Sequence, residues 1–196
     1  MTISMFKIIC VTNRLLCREN FLSRVEKIAA RHPSAIILRE KDLSPEKYLQ
    51  LARRVMDICE RNAVPCILHN FSDVAIVLGA KRIHLPLPVL RKLSASDKKF
   101  FDVIGASCHS LEELHEAQNL GCTYVTAGHI FATDCKKNLE PRGINFLLKL
   151  RAEASVPIFA IGGINAENIS QVQACGVDGA CIMSGFMTCA DVENFL

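Results

Sequence analysis

Residues 128–137 read GHIFATDCKK, so an imidazole (His129), a hydroxyl (Thr133), a carboxylate, a thiol (Cys135) and two ammonium groups (Lys136, Lys137) follow directly on the hydrophobic run TYVTAG. A free imidazole has a pKa near ~6.5, so at neutral pH it can take a proton from one atom and return it to another. Neighbouring ammonium groups attract a small anion and also favour the thiolate form of a cysteine. Two chemistries fit: proton relay by His129 on an anionic small molecule, or covalent attack by Cys135. The bland reading of the lysines is a solvated loop.

Such a stretch needs a frame that holds it at the end of a strand. Eight short β-rich runs recur along the chain: 7–13, 34–40, 65–70, 82–85, 102–108, 123–128, 157–163 and 179–185. Their apolar residues are nearly continuous rather than alternating, as expected for strands covered on both sides in a parallel sheet. Between them lie amphipathic stretches with helix signals. Ser44 reads as an N-cap, with Pro45 at the first helical position and Glu46 in the first turn. Helices stop at Gly79, Gly121 and Gly176, and a strand follows within a few residues.

Eight βα units of about two dozen residues predict a (β/α)8 barrel, made compact by short fourth and eighth helices. An open doubly wound sheet is the alternative. At 196 residues, half of them hydrophobic, the whole chain (1–196) reads as one domain. The net charge of +3 comes from interspersed basic and acidic residues, which gives no basic stripe for nucleic acid. The ten cysteines show neither CxxC pairs nor zinc-site spacing, so reduced thiols are expected. The first residues, MTISMFKIICVTN, lack the pattern of a signal peptide and are too short a run to span a bilayer, which points to a cytoplasmic protein without membrane contact.

In a parallel barrel the residues just after each strand converge on one face although they are far apart in sequence. Those positions hold Asn13, Arg39 with Lys41, His69 with Asn70, His84, Ser107 with His109, the stretch from His129 to Lys137, Gly162 with Gly163, and Ser184 with Gly185. The two glycines after strand seven and the MSG after strand eight fall where barrels commonly bind phosphate through backbone N–H groups. A tight βα turn is the plain alternative for the glycine pair. His69 and His84 read equally well as pocket-lining residues or as hydrogen-bonded core histidines, while His32 and His115 read as solvated helix residues.

Taken together and in order, LREKDLS (38–44), GASCHSLEEL (105–114), YVTAGHIFATDCKK (124–137) and AIGGIN (160–165) resemble the thiamine phosphate synthase/TenI superfamily of small (β/α)8 barrels. The resemblance spans nearly the whole chain. It implies a phosphorylated thiazole as small-molecule ligand and an anion-binding set of Arg39, Lys41, Ser107, Thr133, Lys136, Gly162 and Gly163, with homo-oligomers common. His109 and Arg142 also follow the family pattern, the first as a supporting residue and the second as a loop brace or a cover over the pocket.

The departures from the pattern bear on activity. The synthase branch joins a pyrimidine diphosphate to a thiazole phosphate and uses magnesium, whose oxygen ligands should be carboxylates. Where that pattern has Asn-Asp this chain has His69 and Asn70. Val89 stands where a second metal-binding aspartate would be, and Ile37 replaces a glutamine. GHIFATDCKK instead resembles the TenI branch, a thiazole tautomerase. The expectation is therefore a tautomerase with His129 as general acid/base, without metal or organic cofactor. A magnesium-dependent thiamine phosphate synthase with a rewired metal site is an alternative, as is a non-catalytic regulatory protein that binds thiazole phosphates.

Overall fold

The near-continuous apolar runs become eight parallel strands that close on themselves. A computed structural model describes residues 6–136 and 139–188. Lys137, which the sequence reading placed at the site, lies outside the described residues. In chain order the elements are β1 (Lys7–Val11), α1 (Phe21–Ala29), β2 (Ala35–Leu38), α2 (Pro45–Arg61), β3 (Cys66–His69), α3 (Ser72–Val77), β4 (Arg82–Pro86), α4 (Leu87–Leu90), α5 (Ala95–Phe100), β5 (Val103–Cys108), α6 (Leu111–Asn119), β6 (Tyr124–Gly128), α7 (Gly143–Glu153), β7 (Ile158–Ile161), α8 (Ile169–Ala174), β8 (Gly179–Ile182) and α9 (Ser184–Thr188). Each strand pairs in parallel with the next, and β1 pairs with β8, Lys7 opposite Gly179. That last pairing closes the (β/α)8 barrel and excludes the open sheet. Among the described residues no helix is long and apolar enough to cross a membrane.

Although the strands read as continuous apolar runs, the pleat sorts their side chains into two cores. Ile9, Ile37, Ile67, Tyr124, Phe159 and Cys181 pack inside the barrel. Cys10, Ile36, Leu68, Ile83, Ile104 and Val125 face outward beneath the helices. Alternate residues thus belong to different layers, which burial on both sides hides from the sequence pattern.

Helix boundaries follow the local chemistry. The Ser44 side chain accepts from the Lys47 N–H at 3.4 Å and Pro45 opens α2. Ser110 caps α6 by accepting from the Glu113 N–H, and the Glu113 carboxylate reaches back to the His109 N–H at 2.6 Å. Past α6 and α8 the chain turns at Gly121 and Gly176, with φ of 84° and 69°, a left-handed conformation that glycine enters without steric cost. The short helix expected after strand four is α4, but α5 is added before β5, where the Ser94 side chain caps a second short helix by accepting from the Asp97 N–H. His32 is not helical: it lies just beyond α1 with φ of 52°. The run 157–163 stops being strand at Ile161, because Gly162 and Gly163 turn to positive φ. The nine described cysteines are free thiols.

Tyr48 ties α2 to the barrel. Its fully buried hydroxyl donates to the Leu38 carbonyl at 2.7 Å and accepts from the His69 N–H at 2.9 Å, joining the ends of β2 and β3. Tyr48→Phe strands two buried backbone groups and is expected to lower unfolding free energy by about 2 kcal/mol, measured by urea denaturation. An unchanged midpoint would show that these ends are held by other means.

Candidate active site

At the C-terminal mouth of the barrel a cavity of about 200 Å³ is lined by residues at or just past the ends of all eight strands, among them Arg39, Lys41, His69, His84, Ser107 and His129. Its cations are left open by the way neighbouring acids are used. Glu40, between Arg39 and Lys41 in sequence, is buried and turned away: it accepts from the Thr12 hydroxyl at 2.7 Å and pairs with Arg14 at 3.2 Å. Arg14 in turn binds Asp42. The Thr12 hydroxyl also accepts from the Arg39 N–H at 2.9 Å, so the brace that consumes Glu40 sets the backbone bearing Arg39.

The three site cations lie within electrostatic reach of one another. Burial, and then the charges of Arg39 and Lys136, push the Lys41 ammonium below its ordinary pKa. Burial, followed by Arg142 and Arg39, does the same to Lys136. Mutual repulsion of this kind is what a bound anion would relieve.

The loop after β6 is stitched to the loop after β7. Ile130 N–H donates to the Ile161 carbonyl and Phe131 N–H to the Gly162 carbonyl, each at 3.0 Å. A Cβ on Gly162 would collide with His129, and one on Gly163 with Phe131 and Ala132. The glycine pair is therefore required for close packing as well as lining the cavity. His129 is buried, lines the cavity, and bonds the Leu139 carbonyl through Nε2 at 3.2 Å. His109 likewise bonds the Gly128 carbonyl through Nδ1 at 2.6 Å.

The floor below the cations is polar but uncharged. His69 faces His84 with nearly parallel rings 5.8 Å apart. His84 bonds the Tyr124 hydroxyl through Nδ1 and the Ser107 hydroxyl through Nε2, both at 2.9 Å. Thr126 approaches the same Nε2 at 3.4 Å. Burial, followed by the Lys41 and Arg39 charges, lowers the His84 pKa to about 3. Burial and the same charged surroundings also depress His69.

Of the residues picked out in the sequence, the structure brings Arg39, Lys41, His69, His84, Ser107, His129, Thr133, Lys136, Gly162, Gly163 and Ser184 to one cavity. Asn70 and Gly185 are not among its lining residues. Asn70 has φ of 72° in the turn that leaves β3, and Gly185 lies in the first turn of α9. Reasoning from strand ends missed Thr126 and Met183, which line the cavity, because Thr126 lies within β6 and Met183 reads as one more apolar residue. Exposed Cys135 also lines the cavity.

The magnesium that the family resemblance implies does not fit this donor set. Among the described residues no Asp or Glu lines the cavity, and no three His, Cys, Asp or Glu cluster to hold a metal. Val89, at the place of the expected second carboxylate, is packed in α4 against the outer core. Magnesium is usually anchored by one or two carboxylates, and the described lining offers hydroxyls and imidazoles instead.

Fold and site together define a (β/α)8 barrel that presents a cation-lined mouth over a neutral floor. The chain belongs to the thiamine monophosphate synthase (TMP-TENI) family, whose profile matches residues 8–186. It is 33% identical to the thiamine-phosphate synthase of Syntrophomonas wolfei over 96% of this chain and 92% of that one. The thiamine-phosphate synthase of Ruminiclostridium cellulolyticum is 32% identical, with 93% and 87% covered. Thiamine phosphate pyrophosphorylase from Pyrococcus furiosus superposes with a TM-score of 0.82 at 26% identity, covering 98% of this chain and 92% of that one.

These relatives overturn the tautomerase expectation. Proteins similar along the whole chain carry the synthase name, and no finding separates out a TenI branch. The general acid/base role drawn for His129 rested on a ten-residue stretch. In the structure that ring braces a loop through the Leu139 carbonyl.

Neutral histidines on the floor couple stability to pH. Because the folded-state pKa of His84 lies below the unfolded value, the folded protein binds fewer protons between pH 6.5 and 3, so stability is complete above ~6.5 and falls as pH drops. Lowering the pH from 6.5 to 5 is expected to remove about 2 kcal/mol through His84 alone, with a shallower slope in His84→Gln. Denaturant titration at several pH values checks this, and equal slopes in the two proteins would contradict it.

Proposed function

We propose that this chain is a transferase of the thiamine-phosphate synthase kind, joining a pyrimidine diphosphate to a thiazole phosphate and releasing pyrophosphate. The names of its full-length relatives support the reaction class. The observation that carries the reading onto these residues is the convergence of Arg39, Lys41 and Lys136 on one cavity with no carboxylate in its described lining. When the bond to the diphosphate breaks, negative charge gathers on the departing pyrophosphate. Cations held in place beforehand stabilise that charge more than they stabilise the intact ester.

In this reading Arg39, Lys41 and Lys136 hold the diphosphate and its leaving form, and the Ser107 and Thr133 hydroxyls add hydrogen bonds. The Gly162–Gly163 backbone and Ser184 hold the second phosphate. His129 positions the loop that carries Thr133 and Lys136 by donating Nε2–H to Leu139. No step is routed through magnesium, because the donor set does not fit it.

That same donor set favours a second reading, in which the chain binds the phosphorylated thiazole without turning it over. Release of pyrophosphate from the two substrates, assayed with and without added magnesium, separates the two. Turnover is expected, with kcat/KM about 100-fold lower in Lys41→Ala. Binding of the thiazole phosphate with no pyrophosphate release under either condition would leave the binding protein.

A second expectation concerns the cationic rim. Pyrophosphate at 100 times its Kd should stabilise the fold by about 2.7 kcal/mol, and the gain should shrink as salt is raised. A thermal midpoint unmoved by pyrophosphate would count against an anion-binding mouth.

A further inference from the structure

The barrel register brings His84 opposite Gly105 and Gly105 opposite Tyr124. Gly105 has no side chain, and a Cβ there would collide with both the His84 ring and the Tyr124 phenol. The gap on β5 is what lets a residue of β4 bond one of β6 across the intervening strand. Tyr124 is buried, and His84 is the hydrogen-bond partner recorded for its hydroxyl among the described residues.

A buried phenol O–H has to donate, and Nδ1 of His84 is the acceptor within reach. That places the ring proton on Nε2, which donates to Ser107 at 2.9 Å and leans toward Thr126 at 3.4 Å. The Ser107 oxygen then accepts from the His84 ring through one of its two lone pairs. Its own hydrogen has no recorded acceptor among the described residues, and Ser107 lines the cavity that holds the three cations.

We propose that His84 is a positioning residue, a one-way hydrogen-bond relay from Tyr124 that turns Ser107 into a fixed donor and so selects a ligand oxyanion at the barrel floor. The ligand class rests on the anion-binding reading of the cavity, whereas the relay itself does not. With one lone pair taken by His84, the Ser107 hydrogen is turned away from the ring and toward the cavity.

Two measurements test the relay, both on the full chain. Ring-nitrogen NMR of His84 should show a neutral ring protonated at Nε2, and Tyr124→Phe should shift it toward the other tautomer. Inorganic pyrophosphate titrated by calorimetry should bind about tenfold more weakly to Ser107→Ala and to His84→Leu. It should bind within about threefold of wild type to His84→Gln, whose amide has one accepting and one donating end. Should His84→Leu not fold, Tyr124→Phe carries the same test with an expected loss of about threefold. A proton found on Nδ1 in the wild type overturns the relay, as does wild-type affinity in both Ser107→Ala and Tyr124→Phe. A wild-type protein that does not bind pyrophosphate overturns the anion-binding reading and the ligand class, while the ring nitrogens still decide the relay.

Discussion

Closing eight parallel strands into a ring forces every second side chain into a narrow interior, and the rest of the molecule is arranged around that constraint. Most inward positions hold apolar groups such as Ile9, Ile37 and Phe159. Near the C-terminal ends the inward positions are instead His69, His84 and Thr126, which are buried, and half-buried Ser107, and buried polar groups must find partners. His84 does so through both ring nitrogens. The Nδ1 of His69 has no recorded partner among the described residues, so the polar layer is not fully satisfied.

Electrostatics divides the mouth into two levels. Above, Arg39, Lys41 and Lys136 repel one another, while Glu40, between the first two in sequence, is consumed by Thr12 and Arg14. Below, burial and the overhead positive charge keep the histidines neutral. A cationic floor would add repulsion beneath a cationic rim. With a neutral floor, the positive field at the mouth comes from the rim cations alone.

The carboxylate-poor mouth sets this chain apart from the metal-dependent pattern of the family it belongs to. Weighing His69, Val89 and GHIFATDCKK by residue type alone led to the tautomerase expectation, since a histidine beside cations looks like a proton relay. The relatives, similar along more than nine-tenths of the chain, carry the synthase name instead. A local motif records which side chains are near in sequence. It does not record that the ring at 129 is used to hold Leu139.

The order of strands and helices, the helix caps at Ser44 and Ser110, the glycine stops at Gly121 and Gly176, and the set of strand-end residues at the mouth were all legible in the sequence. These depend on interactions between residues a few positions apart, whose chemistry a linear reading contains. The turning away of Asn70, the commitment of Glu40 to Arg14, and the bridge from Tyr124 across Gly105 to His84 were decided by tertiary structure. Each of those depends on strand register or on groups brought together from distant positions, as with His84 and Tyr124, which are 40 positions apart. Spacing along the chain carries no trace of which neighbour a buried polar group will find.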